Sequence, residues 1–264
     1  MILKLIVAAK KAGLRVQKRK MPMRQLMALI ARDGVQVHGR FLSALKKPGL
    51  SVIAEVKKAS PSRGVICEDF EPETIAKRYE KYGADAVSVL TETAFFLGSN
   101  DYLQTVSERV HIPVLRKDFI FDMWQVYESR LIGADAILLI ASILNVHQLK
   151  RFRKTANALG MDALVEVHNA GEMKKAIFSG AKIIGINNRN LMTFDVSLSV
   201  TEDLIKMIPE GVAAVSESGI MSGSDAQKVM QMGADAVLVG ESLMRSDNIE
   251  QSLKELKQAG EKNG

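Results

Sequence analysis

The sequence predicts an α/β fold in which eight strand–helix units close into a (β/α)8 barrel, preceded by a helical extension at the N-terminus. The length of 264 residues is close to the roughly 250 residues of that fold. Eight short aliphatic runs follow residue 50, and most of them are continuous, as parallel strands buried on both faces are. A helical stretch follows each run. Eight such units in succession favour a closed TIM barrel over an open doubly wound sheet.

The chain is expected to form one domain, residues 1–264, in which residues 1–48 are the N-terminal extension. Residues 2–19 and 23–32 are predicted as two amphipathic helices separated at Pro22, a residue that suits the first turn of the second helix. The eight predicted strands are Ser51–Val56, Ala86–Thr91, Ile112–Lys117, Ala136–Ile140, Ala163–Val167, Ile183–Asn187, Val212–Ser216 and Ala236–Gly240.

Helix-end signals separate these strands. Asp122, Asn145 and Asn169 stand at expected N-cap positions, and Glu172 gives Asn169 a partner like that of a capping box. The tetrapeptide Gly-Ala-Asp-Ala occurs three times, each copy ending a helix and opening a strand. The copies begin at Gly83, Gly133 and Gly233. This weak repeat supports a fold built from repeated strand–helix units.

Charge is unevenly distributed along the chain. Residues 1–48 hold twelve Lys or Arg and one acid, so they contribute +11, while the remainder contributes −5 to the formal net charge of +6. A basic arm raises the possibility of nucleic-acid binding, but Phe41 is the only aromatic residue in it and no nucleic-acid motif is present. The arm also has no serine before Ser43, unlike a transit peptide, and no long uncharged core of a secretory signal.

Composition excludes several other classes. A hydrophobic content of 47% excludes disorder as the main state, and no apolar run reaches the ~18 residues that span a bilayer. The single cysteine, Cys67, excludes an internal disulfide and fits a cytoplasmic protein. No metal is expected, because the histidines lack ligand spacing, and no cofactor, because no dinucleotide fingerprint follows the first strand. The histidines are His38, His111, His147 and His168.

Polar residues stand at the C-terminal ends of the predicted strands, where such barrels carry their active sites. These residues are Glu55, Lys57, Lys117, Glu166, Asn187, Glu217 and Ser218. Glu55 and Lys57 are two positions apart in a strand, so both point toward the barrel axis. One interpretation is an ion-pair network that only fills the barrel. Burying such charges is costly, and their placement at several different strand ends favours a catalytic site.

Three further features predict substrate contacts. The segments Ser218-Gly219 and Gly240-Glu241-Ser242 close strands 7 and 8, where this fold commonly binds phosphate through backbone N–H groups. The loop Ser60-Pro61-Ser62-Arg63-Gly64 follows strand 1 and is rich in hydroxyls and turn formers. Phe95-Phe96 and Phe119 follow strands 2 and 3 and suit the wall of a planar substrate.

At these residues the sequence resembles the indole-3-glycerol phosphate synthase family. Ile53-Ala-Glu-Val-Lys-Lys-Ala-Ser-Pro-Ser resembles the family signature around strand 1. Further matches, in the order of the family, are Ser88-Val-Leu-Thr, Phe95-Phe96-x-Gly98-Ser99, Val114-Leu-Arg-Lys-Asp-Phe-Ile, Leu164-Val-Glu-Val, Gly185-Ile-Asn-Asn-Arg-Asn-Leu and Ser216-Glu-Ser-Gly-Ile. The resemblance covers essentially the whole chain.

The resemblance implies closure of the indole ring of 1-(2-carboxyphenylamino)-1-deoxyribulose 5-phosphate, with loss of CO₂ and water. Lys117 would be the general acid that protonates the ketone oxygen, and Glu166 the general base of the later dehydration. Lys57 would bind the substrate carboxylate or act as a second acid, oriented by Glu55 and Asn187. Which lysine serves each proton transfer stays open. The other implied substrate contacts are Ser60 and Arg189 for the carboxylate, Ser218, Gly219, Gly240 and Glu241 for the phosphate, Phe96, Phe119, Leu138 and Leu191 around the anthranilate ring, and Glu217.

The sequence departs from the family pattern in two places. The first helix has no acid before Asp33, where relatives usually carry some, so no site residue is assigned among the first forty positions. Leu97 stands where another small residue is often found.

The expected partner is a small phosphorylated substrate, with no nucleic acid and no membrane, and the resemblance implies a monomer. A rival function, that of another phosphate-binding barrel such as a phosphoribosylanthranilate isomerase, does not explain two lysines and two glutamates at strand ends 1, 3 and 5.

Overall fold

A computed structural model describes residues 2–34 and 39–258 of the chain. Met1, residues 35–38 and residues 259–264 lie outside the described residues, and with them one of the four histidines, His38, and part of the predicted N-terminal extension.

Within the described residues, eight parallel strands close into a barrel, which confirms the predicted (β/α)8 fold. The strands are β1 (Ser51–Val56), β2 (Ala86–Leu90), β3 (Val114–Lys117), β4 (Ala136–Ile140), β5 (Asp162–Val167), β6 (Ile183–Asn187), β7 (Ala213–Glu217) and β8 (Ala236–Val239). Each strand pairs with the next along the chain, and β8 returns to β1, where Ser51 aligns with Ala236 and Ala54 with Val239.

A helix follows each strand, and three helices precede the barrel. The described helices are α1 (Ile2–Lys20), α2 (Met23–Asp33), α3 (Arg40–Leu45), α4 (Pro72–Lys81), α5 (Asn100–Ser107), α6 (Met123–Leu131), α7 (Val146–Ala158), α8 (Ala170–Ser179), α9 (Ser199–Ile205), α10 (Gly223–Gln231), α11 (Glu241–Met244) and α12 (Ile249–Gln258). None of them is both long and apolar enough to cross a membrane.

The structure corrects some predicted boundaries. Strand β3 begins after Pro113, which has no N–H to donate to a ladder, and the Ile112 amide donates instead to the Glu80 carboxylate at 3.0 Å. Strand β7 extends to Glu217, so this carboxylate belongs to the strand and not to the following loop. The other strand ends agree to within one residue. Helix α3 was not predicted.

The loop after β1 is also more ordered than the sequence suggested. It folds as a short antiparallel hairpin, in which Ala59–Ser60 pairs with Gly64–Val65. The Arg63 amide closes the turn by donating to the Ser60 carbonyl at 3.2 Å. The hairpin therefore holds the hydroxyl-rich segment of this loop in one arrangement.

The Gly-Ala-Asp-Ala repeats tie neighbouring strands together at the N-terminal end of the barrel. Their glycines all have positive φ, as helix C-caps do. The Asp85 amide donates to the Val52 carbonyl, and its carboxylate accepts from the Val52 amide, both at 2.9 Å. Asp135 pairs in the same way with Val114, and Asp235 with Ala214. The aspartate of each repeat thus joins two neighbouring strands, a role that the glycine of the repeat did not reveal.

Helix α3 closes the N-terminal end of the barrel. Its Phe41 and Leu45 are fully buried among inward-facing strand residues such as Ile53 and Leu164. Burying each such side chain contributes about 1.5–3 kcal/mol to folding. The Arg40 guanidinium fixes the helix by donating to Asp135 Oδ1 at 2.7 Å. The barrel is therefore apolar and closed at one end, and its polar residues gather at the other.

The first two helices pack against the side of the barrel. Leu14, Leu26 and Ile30 form a small apolar cluster with Trp124 of α6. The Trp124 indole Nε1–H donates to the Met21 carbonyl at 2.8 Å. This anchorage brings the start of α1 over the open end of the barrel.

Candidate active site

A cavity of about 500 Å³ lies at the C-terminal ends of the strands. Every residue that the resemblance assigned to the site lines this cavity. These residues are Glu55, Lys57, Ser60, Phe96, Lys117, Phe119, Leu138, Glu166, Asn187, Arg189, Leu191, Glu217, Ser218, Gly219, Gly240 and Glu241. The fold therefore brings together residues from all eight strands or the segments that follow them.

Lys117, the last residue of β3, lies at the centre of the cavity floor. Its ammonium donates to Glu166 Oε2 at 2.8 Å and to Glu217 Oε2 at 2.6 Å. The two carboxylates come from β5 and β7, and the Lys117 side chain is only 13% exposed. Gly185 of β6 makes this arrangement possible, because a Cβ there would overlap the Glu217 carboxylate.

Burial and charge shift the pKa values of these three groups in different directions. Burial acts to lower the pKa of Lys117, but the carboxylates of Glu166 and Glu217 outweigh it and raise that pKa above the usual lysine value. Burial acts to raise the pKa of Glu166, but Lys117 and His168 outweigh it and lower that pKa. The pKa of Glu217 is raised, because burial and the Glu166 charge outweigh Lys117. Glu166 is therefore the more acidic carboxyl of the two.

A second pair lies across the mouth on β1 and the residue after it. Lys57 Nζ donates to Glu55 Oε2 at 2.5 Å. Gly240 passes directly beside this pair, and a Cβ at that position would overlap Glu55 Oε2 and lie 2.9 Å from Lys57 Nζ. The φ of Gly240 is −121°, which any residue can adopt, so the requirement for glycine here comes from close approach alone.

Aromatic side chains form one wall of the cavity. The rings of Phe96 and Phe119 have centroids 6.1 Å apart. The Phe96 loop is organised by Glu92, a buried carboxylate that accepts from the backbone amides of Ala94, Phe95 and Phe96 at 2.7–3.1 Å. Sequence reasoning missed Glu92, although it directly follows the matched segment at Ser88. Phe95, considered for this wall, does not line the cavity.

The loop after β6 presents Asn187 and Arg189. The Arg189 amide donates to Asn187 Oδ1 at 3.0 Å, which orients the Asn187 side-chain amide. The Arg189 guanidinium reaches the Phe194 carbonyl at 3.4 Å, and Arg189 also forms an antiparallel bridge with Val196. Leu191 lies in the same loop and lines the cavity with them.

The segment after β7 has an unusual backbone. Ser218 has a φ of 66° and Gly219 a φ of 83°, so a non-glycine residue adopts the left-handed conformation at the cavity edge. Asn188, which is 1% exposed, holds this turn by donating from Nδ2 to the Ser218 carbonyl and to Ser216 Oγ, each at 3.0 Å. Asn188 was not singled out from the sequence, because its neighbour Asn187 occupies the strand end.

The side chain of Glu241, after β8, is engaged by cations. Arg63 Nε lies 3.0 Å and Arg245 Nε 3.5 Å from Glu241 Oε1. Arg63 also lines the cavity and comes from the hairpin loop after β1. The hairpin is thereby tethered to the segment after β8, the strand that pairs with β1.

Helix α1 supplies part of the cavity, although no site residue was assigned among the first forty positions. Ile2, Leu3 and Ile6 line it. The Lys10 ammonium lies 2.6 Å from Asp118 Oδ1, and Asp118 directly follows Lys117 in the chain. Burial acts to raise the pKa of Asp118, but Lys10 and Arg116 outweigh it and lower that pKa. The amphipathic pattern predicted this helix but could not identify the surface that it covers.

No group of three or more His, Cys, Asp or Glu side chains is arranged to hold a metal ion within residues 2–34 and 39–258. His168, one of the four histidines, lies 3.4 Å from Glu166 Oε1 through its Nε2 and is not part of the cavity lining.

Comparison with known proteins gives consistent results. A family model described as "Indole-3-glycerol phosphate synthase" matches residues 3–256. A protein named indole-3-glycerol phosphate synthase from Acetivibrio thermocellus is 50% identical, over 97% of this chain and 99% of the relative. One of the same name from Thermoanaerobacter pseudethanolicus is 45% identical, over 98% of this chain and 100% of the relative. The solved structure of an N-acetylmannosamine-6-phosphate 2-epimerase from Clostridium perfringens has a TM-score of 0.61 at 17% identity, covering 80% of this chain and 94% of that one, and it shares the fold alone.

Proposed function

The chain belongs to the indole-3-glycerol phosphate synthase family, and from that membership we propose how its residues divide the reaction between them. The reaction converts 1-(2-carboxyphenylamino)-1-deoxyribulose 5-phosphate to indole-3-glycerol phosphate, CO₂ and water. The observation that carries the proposal is the Lys117 ammonium, held between two carboxylates on the floor of a cavity with an aromatic wall.

Ring closure needs an acid at the ketone. The ring carbon that bears the carboxylate forms a bond to the ketone carbon, and the ketone oxygen takes a proton from the Lys117 ammonium to become a hydroxyl. Glu166 and Glu217 raise the pKa of Lys117, so the lysine is charged at neutral pH and gives up its proton as negative charge develops on the oxygen beside it. Loss of CO₂ then returns the electron pair to the ring.

Dehydration needs a base. The hydroxyl takes a proton from the Lys57 ammonium, free once the carboxylate has left as CO₂, and departs as water. A proton is removed from the adjacent carbon at the same time, and Glu166 is the carboxylate proposed to take it. Its pKa is lowered, so it is ionised before the step. Once Lys117 has donated its proton, the larger of the two charges that lower this pKa is gone, and Glu166 becomes a stronger base. We assign to Glu217, which is 1% exposed, the positioning of Lys117 rather than direct contact with the reacting atoms.

The two anionic ends of the substrate are proposed to bind different segments of the mouth. Lys57, oriented by Glu55, together with Ser60 and Arg189, is placed to bind the carboxylate. Asn187, fixed by the Arg189 amide, orients this group. The left-handed turn at Ser218 and Gly219 and the segment at Gly240 and Glu241 offer backbone groups to the phosphate. Glu241 contributes its backbone only, since its carboxylate is paired with arginines.

The anthranilate ring is proposed to be enclosed by apolar side chains, which exclude water from it. These side chains are Phe96, Phe119, Leu138 and Leu191.

We also propose that the protein is a cytoplasmic monomer built as one domain, residues 1–264, and that it binds no nucleic acid. Its basic arm directs several charges at the barrel itself: Lys10 pairs with Asp118, Lys18 with Asp122 and Arg40 with Asp135. The other charges of the arm are available to attract an anionic substrate. Light scattering on the purified protein tests the monomer.

A substrate comparison tests the function against its rival. The purified protein should form indole product from the carboxyphenylamino-deoxyribulose phosphate and show no turnover of phosphoribosylanthranilate. Isomerisation of the latter without indole formation would support the isomerase instead.

Substituting Gly240 tests the close approach beside Lys57. In Gly240→Ala, the new methyl group displaces the Lys57–Glu55 pair, and we expect kcat/KM to fall by about 10- to 100-fold, since a displacement of about 1 Å can cost that much. The matched control is Gly13→Ala on the exposed face of α1, where a Cβ meets nothing within 4 Å. Equal activity in both variants would contradict the proposed contact.

Two lysines of α1 offer a matched test of the helix as part of the site. Lys10→Ala removes the partner of Asp118 beside Lys117 and loosens the helix that lines the cavity. We expect KM to rise several-fold. Lys18→Ala removes the more exposed pair with Asp122, which lies outside the cavity lining, and such pairs contribute about 0–1 kcal/mol. Steady-state kinetics on both should separate them, and an unchanged KM in Lys10→Ala would exclude a role for α1 in binding.

A further inference from the structure

Glu166 has a second charged neighbour, His168, which is not among the residues that line the substrate cavity. Glu166 Oε2 accepts from Lys117, while Glu166 Oε1 lies 3.4 Å from His168 Nε2. The other ring nitrogen, His168 Nδ1, lies 3.0 Å from Glu172 Oε2. The imidazole is thus placed between two carboxylates, one on each ring nitrogen.

This placement constrains where protons lie. A neutral imidazole carries one N–H and one lone pair, so in either tautomer one nitrogen would point a lone pair at a carboxylate oxygen. The arrangement is favourable when both nitrogens are protonated. His168 Nε2 is buried and makes no hydrogen bond within the described residues, so Glu166 Oε1 is the charged atom that it faces.

Glu172 is itself fixed in place. It lies in the first turn of α8, and its Oε2 accepts from the His168 backbone amide at 2.9 Å as well as facing the ring. Its Oε1 accepts from Asn169 Nδ2 at 2.8 Å, and the Asn169 side chain caps the helix through the Glu172 amide. The Glu172 carboxylate thus accepts from the backbone amide of His168. In a standard capping box it would accept from the amide of the N-cap residue, which here is Asn169. Helix α8 therefore positions the imidazole.

The charged groups around His168 are predominantly acidic. Glu172 faces it from α8, Glu166 from its own strand, and Glu217 acts from β7, while Lys117 lies beyond Glu166. On α8, the Lys175 ammonium is directed to the Ala141 carbonyl at 3.2 Å. Burial acts to lower the pKa of His168, but the bond to Glu172 and the charge of Glu166 outweigh it and raise that pKa.

We propose that Glu172 and His168 are positioning residues that keep a positive charge behind Glu166, so that this carboxylate stays ionised and directed toward the cavity when dehydration needs a base. The inference rests on the role proposed above for Glu166. Lys117 loses its charge when it protonates the ketone, and His168 then remains as the counter-charge of Glu166. Neither His168 nor Glu172 contacts the substrate.

The protonation state of His168 can be measured without reference to activity. In ¹⁵N-labelled wild-type protein, we expect both ring nitrogens of His168 to be protonated at pH 7, above the ordinary histidine pKa of about 6.5. In Glu172→Gln the ring should lose a proton at a lower pH than in the wild type. A singly protonated ring at pH 7 in the wild type would overturn the proposal, whatever reaction the protein catalyses.

The pH dependence of kcat tests the consequence for Glu166. His168→Gln keeps a side-chain donor but removes the charge, so the pKa of Glu166 should rise and the acidic limb of the profile should move up by about one pH unit, or about tenfold in kcat on that limb. KM should change little. Glu172→Gln should move the limb in the same direction, and the double variant no further than His168→Gln, because the two residues act through one charge.

A capping residue of the neighbouring helix provides the control. Gln148 completes the capping box of α7, so Gln148→Ala weakens a helix start of the same kind without touching His168. Its pH profile should match that of the wild type. If His168→Gln and Glu172→Gln lower thermal stability but leave the acidic limb of the pH profile unmoved, the pair has only a structural role and the proposal fails. The proposed function is tested separately, by product formation.

Discussion

Replacing Lys117 by arginine or methionine should lower kcat by about 10²- to 10⁴-fold, the usual contribution of general acid catalysis. Arginine keeps the charge between Glu166 and Glu217, but its guanidinium does not release a proton at neutral pH. Methionine removes both charge and proton. Steady-state assays of indole formation measure the loss, and near-normal turnover by Lys117→Arg would remove Lys117 from the role of acid.

The two Lys117 variants should differ in stability even though both lose turnover. In Lys117→Met, Glu166 and Glu217 remain buried without the ammonium, so the folded-state pKa of Glu166 rises above its unfolded value and that of Glu217, already raised, rises further. A raised carboxyl pKa contributes stability below the unfolded value that is lost as pH rises through the folded value. Lys117→Met should therefore be less stable at pH 8 than at pH 5, relative to Lys117→Arg, in urea unfolding. Equal pH dependence would show that the two carboxylates do not depend on this charge.

Replacing Arg116 by methionine should destabilise the fold by about 3–5 kcal/mol, the cost of removing one partner from a buried ion pair. Arg116 is 1% exposed, and its Nη2 donates to Glu128 at 2.7 Å and to Asp118 at 3.1 Å. The same guanidinium reaches Asn100 and Ser129, so methionine removes the cation that faces Glu128 together with these two hydrogen bonds. Chemical denaturation gives the free energy of unfolding.

An exposed arginine provides the control for this variant. Arg109 lies 3.7 Å from Glu73, and both side chains are largely solvated, so Arg109→Met should change the free energy of unfolding by less than about 1 kcal/mol. Similar losses in the two variants would mean that the buried network around Arg116 contributes no more than a surface pair does.

The barrel could be predicted from the sequence because its strands read as continuous apolar runs at regular spacing, and the polar residues at their ends stood out against that background. Glu55, Lys57, Lys117 and Glu166 were found in this way. Arg116 was not found in this way, because it alternates along β3 with inward-facing residues. Its partners come from α5 and α6, which lie 12 to 16 residues away in the chain.

Other features depended on tertiary contacts that local pattern does not encode. The amphipathic pattern of α1 revealed a helix, but the pairing of Lys10 with Asp118 depends on where that helix docks. Helix α3 is only six residues long, too short for a periodic signal, and its role in closing the barrel comes from Phe41 and Leu45 fitting the space between strands. The imidazole of His168 likewise gained its meaning only once Glu172 was placed beside it.

The central claim is that this cavity closes the indole ring with loss of CO₂. The most direct measurement mixes the purified protein with 1-(2-carboxyphenylamino)-1-deoxyribulose 5-phosphate and follows indole fluorescence and released CO₂ together. The account predicts that both appear at the same rate and in equal amounts, and that Lys117→Arg abolishes both. A folded protein that releases neither, or that releases CO₂ without forming an indole, would contradict it.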